Sequence, residues 1–289
     1  MEISTIKMFI KIAELKSFSK AATALDTAQS YISTRIHQYE KELGTELFIR
    51  HNKGVELTAY GLILLDYAKQ ILRLADEAEN AVSQNSQKGL LRISTMQSTA
   101  QTYLPSILYE FHKKYPDYQL KISTSNAMKN LEKLFRFESD FSFAAGKSES
   151  DELCTIKLTE EKMVLVSMNR IESLKDYFEN SNFSLIAFPS GCAYRKHTEN
   201  WLSSQKINLK TVIECDSIAA ILASTAAGMG VAVLPEHLVA DKVREGVLFS
   251  HELPEKYRTI PLNLCYRKEM KLNEAGKSFI DLCKIMNSK

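Results

Sequence analysis

The chain of 289 residues is long enough for two or three domains with cores of their own, and its 45% hydrophobic and 25% charged content excludes a disordered chain. A net charge of +2 neither announces nor excludes a polyanionic partner, since eight basic residues meet seven acidic ones over residues 1–58. Five cysteines, odd in number, widely spaced and without a CxxC pair or a secretory signal ahead of them, predict free thiols in a reducing cytoplasm.

In chain order, residues 2 to about 15 read as a helix whose buried stripe is Ile3, Ile6, Phe9, Ile10 and Ala13. From Phe18 to Glu40 the apolar residues form two short helical runs, with Ala21, Ala22 and Leu25 on one inner face and Ile32, Ile36 and Tyr39 on the other. Asp26-Thr27 lies between them, and the Thr27 hydroxyl is placed to cap a second helix at a steep angle to the first. The outward face of that second helix carries Gln29, Ser30, Ser33, Thr34, Arg35 and His37, side chains that read base edges or grip phosphates. Gly44 ends it. Two short strands, 47–50 and 55–58, flank the turn His51-Asn52-Lys53-Gly54 and form a wing, which makes Arg50 and Lys53 candidates for phosphate contact.

Thr58 caps a long helix running to about Ser83, roughly 40 Å at 1.5 Å per residue. Leu57, Gly61, Leu64, Ala68, Ile71, Ala75, Ala78 and Val82 repeat at spacings of four and three, a heptad seam expected to pack against a twin in a dimer. The polar run from Ser83 to Gly89 reads as a hinge. Beyond it, strands are predicted at 90–95, 118–123, 141–145, 162–167, 184–188, 210–214, 231–234 and 262–266, and helices at 102–115, 127–137, 171–179, 194–205, 218–227 and 273–286. Such alternation predicts a mostly parallel sheet covered on both faces. Residues 217–235 carry no charge, but their Ser224, Thr225, alanines and paired glycines fit a buried helix turning at Gly228-Met229-Gly230 into a buried strand, and not a membrane span.

Phe9, Ser17, Phe18, Ser19, Ala21, Ala22, Leu25, Gln29, Ile32, Ser33, Ile36 and Glu40, followed by Leu43-Gly44, Leu47-Phe48 and Arg50, stand in the order and spacing of the N-terminal domain of LysR-type transcriptional regulators, which this segment resembles. Tyr31-Ile32-Ser33-Thr34 departs from the pattern, lacking the basic residue many relatives place after the serine. The resemblance continues through Asp140, with Phe137 at a glycine position of the motif, through Met163–Ser167, through Gly191-Cys192-Ala193-Tyr194-Arg195 with Trp201, and through Ala226–Pro235. It implies a bacterial regulator with a winged helix-turn-helix at 1–58, a linker dimerisation helix and hinge at 59–88, and a two-lobed, Rossmann-like effector-binding domain at 89–289. Lobe one would be 89–160 with 266–289, and lobe two 161–265, resembling periplasmic solute-binding proteins. Homodimers pairing into homotetramers are implied as well. Read this way, the DNA-contact candidates are Ser19, Lys20, Gln29, Ser30, Tyr31, Ser33, Thr34, Arg35, His37, Arg50 and Lys53.

Ligands of parallel α/β sheets gather beyond the carboxyl ends of strands, where helix N-termini offer free N–H groups. Those ends carry Ser98, Thr99, Ser125, Asn126, Ser190, Gly191, Cys192 and Ser217, suited to a small anion with Arg195 as candidate counter-charge. Each serine taken alone is better read as a plain N-cap, and it is their clustering at the strand ends that favours a cleft; Arg195 is equally well read as a tie from the loop to a lobe-two carbonyl. The rival readings are a redox sensor using Cys192, a cysteine-dependent enzyme pairing Cys192 with His197, and a solute-binding protein, which leaves residues 1–88 unexplained. Six histidines without zinc spacing, and no G-x-G-x-x-G or P-loop, point to no metal or nucleotide cofactor. The expectation is therefore a cytoplasmic, non-enzymatic regulator of double-stranded DNA, free of the membrane and controlled by a small effector.

Overall fold

The computed structural model describes residues 2–51, 54–82, 88–146, 150–180, 183–207 and 211–285. Two compact units emerge: Met1–Asn85 with Arg136–Glu138, and Ser86–Phe135 with Ser139–Lys289.

The first unit opens with α1 (Ile3–Leu15), α2 (Phe18–Ala24) and α3 (Gln29–Leu43). Ile6, Phe9 and Ile12 of α1 pack on Ala21, Ala22, Ile32 and Ile36, so the 3.6-residue period of the sequence becomes one shared core. Ile3 of the expected stripe lies exposed instead. Ser17 caps α2, accepting from the Lys20 amide at 3.3 Å. The corner corrects the expected cap: α3 starts after an extended Ala28 with no side-chain cap. Asp26 takes a left-handed conformation, and Thr27 N–H closes the end of α2 on the Ala22 carbonyl at 3.0 Å, so backbone bonds make the turn.

The wing is β1 (Phe48–His51) paired antiparallel with β2 (Gly54–Leu57). Its turn residues Asn52 and Lys53 lie outside the described residues. Glu40 accepts from the amides of Leu47 and Phe48 at 2.8 and 3.2 Å, fastening the wing to α3. Thr58 accepts from Gly61 N–H and donates to the Glu46 carbonyl, capping α4 (Ala59–Val82).

The seam expected along α4 is corrected. Leu57, Leu64, Ala68 and Ile71 pack against the core of their own unit. A Cβ on Gly61 would lie 2.2 Å from the Leu47 carbonyl oxygen, so glycine is what lets α4 lie this close. Ala78 is exposed, and the Val82 side chain is outside those described. Another face of α4 is the open one: Tyr60, Ile63, Tyr67 and Leu74, at spacings of three, four and seven, are each more than half exposed. The hinge expected at 83–89 falls outside the described residues over 83–87.

The second unit runs β3 (Gly89–Thr95), α5 (Gln97–Thr102), α6 (Leu104–Lys114), β4 (Tyr118–Thr124), α7 (Ala127–Phe135), β5 (Phe141–Ala145), β6 (Leu153–Ser167), α8 (Leu174–Asn180), β7 (Ser184–Ala187), α9 (Ala193–Ser204), β8 (Thr211–Glu214), α10 (Ile218–Ala226), β9 (Ala232–Pro235), α11 (Glu236–Arg244), β10 (Phe249–Glu252), β11 (Thr259–Arg267) and α12 (Glu274–Ile285). The single helix expected at 102–115 is two, with Pro105 tolerated in the first turn of α6.

The sheet is mixed, which corrects the mostly parallel expectation. Its order is β10-β6-β11-β5-β3-β4, with β9 also on β6, and β7-β8 form a separate pair. β3–β4, β3–β5 and β7–β8 are parallel, whereas β11 runs antiparallel to β5 and β6, and β9 and β10 antiparallel to β6. The 15-residue β6 carries much of this order: Leu153–Lys162 pairs with β11 and Met163–Ser167 with β9 and β10. Met163 and Leu165 enter the larger core while Val164 and Val166 enter a second one with Ile221 and Val239, the two-residue period of a strand buried on both faces.

Two motif positions acquire physical reasons. Gly230 approaches Ser184 so closely that a Cβ would meet its carbonyl oxygen at 2.2 Å, and this contact seats Val231 N–H on the same oxygen at 3.0 Å. Phe137, at a glycine position of the motif, is held at φ +57, a conformation a bulky side chain occupies at a cost of about 1 kcal/mol or more. Among the described residues no helix is long and apolar enough to cross a membrane.

Candidate functional site

Two surfaces concentrate the candidate residues. On α3, Ile32, Ile36 and Tyr39 are buried, so Ser30, Thr34 and His37 stand on the opposite side and are exposed. Tyr31 is exposed on the flank. Ser19 donates to Gln29 Oε1 at 2.7 Å, joining the starts of α2 and α3, with Lys20 exposed beside it. Arg50 reaches from the wing to Ser33 Oγ at 3.3 Å. Between α3 and the wing, a shallow groove of about 630 Å³ is lined by Ser33, Thr34, His37 and Arg50 together with Glu40 and Glu46. Arg35 is corrected: its guanidinium turns to α1, meeting Glu2 at 2.6 Å and Thr5 at 3.1 Å, because its position is about 70° from the buried stripe and not opposite to it. Lys53 lies outside the described residues.

The second surface is a cleft of about 510 Å³, lined by Met96, Gln97, Ser98, Thr124, Ser125, Asn126, Ala127, Lys129, Phe188, Pro189, Cys192, Tyr194 and Asp216. It brings together Ser98, Ser125, Asn126 and Cys192 of the expected set. Asn126 accepts from the Lys129 amide at 2.9 Å at the start of α7, while Ser125 donates to Asn130. Cys192 stands at the N-cap of α9.

The other expected positions are corrected. Thr99 is fully buried away from the lining, and Ser190 and Ser217 also lie outside it, whereas Gly191 stands at its edge, where a Cβ would lie 3.9 Å from the Asn126 side-chain amide. Ser217 precedes α10, but the free Ile218 amide there is taken by Gln97 Oε1 at 3.2 Å. Arg195 is not a counter-charge in the cleft: it binds Glu199 at 2.8 Å, Glu214 at 2.6 Å and the Phe188 carbonyl at 3.1 Å, the structural tie named as its alternative. The cation present in the lining is Lys129, one turn into α7 and three residues beyond the N-cap, a spacing that could have signalled it.

The rival chemistries find little geometry. Burial pushes the Cys192 thiol up, outweighing the N–H bonds from Arg195 and Tyr194 that lower it, which reduces its thiolate fraction. His197 Nε2 is engaged with the Tyr257 carbonyl at 2.9 Å and does not address Cys192. Among the described residues no cluster of His, Cys, Asp or Glu is arranged to hold a metal ion.

A helix-turn-helix with a wing, joined in one chain to a mixed-sheet domain with a central cleft, defines a one-component transcriptional regulator. The family profile for bacterial regulatory helix-turn-helix proteins of the lysR family matches residues 3–62, and that for the LysR substrate binding domain matches residues 84–286. The chain belongs to the LysR family of transcriptional regulators. It is 34% identical over 282 residues to the regulator YusT of Bacillus subtilis strain 168, covering 97% of this chain and 95% of the relative. It is also 34% identical over 286 residues to SoxR of Arthrobacter sp. strain TE1826, covering 98% and 97%. In fold it is similar to a full-length cysteine-to-aspartate variant of OxyR from Pseudomonas aeruginosa, at TM-score 0.74 and 19% identity, covering 99% and 95%. CbnR complexed with its target DNA is similar at TM-score 0.71 and 22% identity, covering 99% and 100%.

Proposed function

We propose that this regulator binds operator DNA in the cytoplasm through residues 1–58, dimerises through the linker helix within 59–88, and responds to a small carboxylate in the cleft of residues 89–289. The observation that carries the DNA reading is the convergence of Ser30, Thr34 and His37 of α3 with Arg50 of the wing on one open surface. Base contacts are assigned to Ser30, Thr34 and His37, and phosphate contacts to Arg50, Lys20 and the wing tip at Lys53. Dimer contact is assigned to Tyr60, Ile63, Tyr67 and Leu74, an apolar stripe too regular for a solvated face; pairing of dimers into a tetramer follows from the family resemblance alone.

For the cleft, the start of α7 and the Lys129 ammonium favour a carboxylate, with Asp216 available to a donor group of the same molecule. Closing lobe one (89–160 with 266–289) on lobe two (161–265) changes DNA spacing only by the ligand's differential affinity for the two arrangements. The protein acts by binding and not by turnover. Genome-wide mapping of bound DNA in cells tests the reading: discrete peaks sharing a two-fold motif are expected, and a profile that an Arg50→Ala, Thr34→Ala variant reproduces unchanged would remove this surface from the interface.

A further inference from the structure

Behind the cleft wall runs a chain of buried polar groups. Ser98 Oγ lies 2.9 Å from Tyr194 Oη, and Tyr194 Oη lies 2.7 Å from Glu161 Oε2. Ser98 and Tyr194 both line the cleft, whereas Glu161 sits beneath them in β6, 1% exposed and opposite Ile260 of β11. Among the described residues Glu161 Oε1 has no hydrogen-bond partner, and His237 Nε2 stands 3.8 Å from it.

A buried carboxylate stays ionised when it accepts several hydrogen bonds or faces a cation, and Glu161 has one bond. The titratable groups around it are neutral ones. His237 of α11 is pushed down by burial, the Tyr103 phenol between α5 and α6 is pushed up to about 12, and Tyr194 and Cys192 at α9 are pushed up as well. Ile260 on β11 is apolar, and Lys162 turns to the other side of β6 to pair with Glu236 and Glu252. Burial accordingly pushes the Glu161 carboxyl up to about 7, against the lowering effect of the Tyr194 bond.

The proton on this carboxyl decides which way the hydroxyls point. With Glu161 ionised, Tyr194 donates to it and Ser98 donates to Tyr194, so Ser98 presents only lone pairs to the cleft. With Glu161 protonated, it donates to the Tyr194 oxygen, Tyr194 donates to Ser98, and the Ser98 hydrogen turns into the cleft. One proton comes from solvent; the hydroxyls rotate and no O–H bond breaks.

We infer that Glu161, Tyr194 and Ser98 form a hydroxyl relay that makes the cleft wall a hydrogen-bond donor when Glu161 is protonated, so that binding an anion there takes up one proton wherever Glu161 is ionised in the free protein. The coupling rests on the carboxylate reading of the cleft. Affinity for the anion then falls about tenfold per pH unit above the Glu161 midpoint.

The test uses full-length protein labelled with ¹³C at the glutamate carboxyls, with the Glu161 resonance assigned by its loss in Glu161→Gln, and acetate as the probe anion. Ser98→Ala touches no atom of Glu161, yet the relay expects its midpoint to rise: both states lose the Ser98–Tyr194 bond, and the loss is larger in the ionised form, where that bond backs a charge-assisted one. Tyr194→Phe should raise it further. Saturating acetate should also raise the wild-type midpoint, and acetate affinity should weaken with rising pH in wild type but not in Glu161→Gln. A midpoint unmoved by Ser98→Ala overturns the relay. A midpoint that Ser98→Ala moves and acetate does not overturns the anion reading of the cleft and with it the coupling.

Discussion

The guanidinium of Arg50 stacks on the Phe18 ring at 4.3 Å from its centre. Phe18 in turn packs edge-on against Phe48, and Phe48 against Phe9, so the first strand of the wing is tied through aromatic contacts to α1 and α2. Arg50 is thereby held beside Ser33 with donors remaining for a phosphate. Arg50→Ala is expected to weaken binding to a mixed-sequence duplex by about tenfold and to reduce the salt slope by about one. Fluorescence anisotropy across a salt series measures both, and an unchanged slope would place Arg50 outside the phosphate contacts.

Gly61→Ala sets helix propensity against packing. Alanine is the better helix former by about 1 kcal/mol, but here its methyl would meet the Leu47 carbonyl oxygen. The variant should lose about 1–3 kcal/mol in urea denaturation, and a gain would mean that α4 shifts away freely.

Thr58→Ala removes the cap that accepts from Gly61 N–H and releases the Glu46 carbonyl. A loss of about 1 kcal/mol is expected in the same measurement, with rescue by Ser.

The stripe on α4 separates association from folding. Ile63→Lys with Tyr67→Lys alters exposed side chains, so monomer stability should hold within about 1 kcal/mol while sedimentation velocity shows dissociation. Ala68→Lys, on the buried face, should unfold the N-terminal unit instead.

Glu161 makes stability depend on pH. Its folded-state pKa of about 7 lies above the ordinary 4.5, so its contribution is whole below about pH 4.5 and is lost as pH rises through about 7. The loss amounts to roughly 3 kcal/mol. Urea midpoints at pH 5 and pH 8 should therefore differ less in Glu161→Gln than in wild type, and equal differences would contradict the buried, proton-binding state of Glu161.

Local periodicity determined a good deal by itself. The inner faces of α1 to α3, the left-handed stop at Gly44, the cap at Thr58 and the turn into the buried strand at Gly228-Met229-Gly230 all depend on neighbours within about one helical turn or on a glycine's freedom, which adjacent residues disclose. Tertiary structure decided the rest, because each remaining choice depended on a distant partner. Leu64, Ala68 and Ile71 repeat as a coiled coil would, yet α1 covers them and leaves the stripe at Tyr60, Ile63 and Tyr67 open. The strand expected at 162–167 is only the end of β6, which begins at Leu153, and no local period says that β6 and β11 run antiparallel. Arg195 and Lys129 are both cations near helix starts. Glu199, Glu214 and the Phe188 carbonyl claim the first, which leaves the cleft to the second. Glu161 stands beside another glutamate and a lysine in sequence, as a surface residue would, and only the fold buries it under Tyr194.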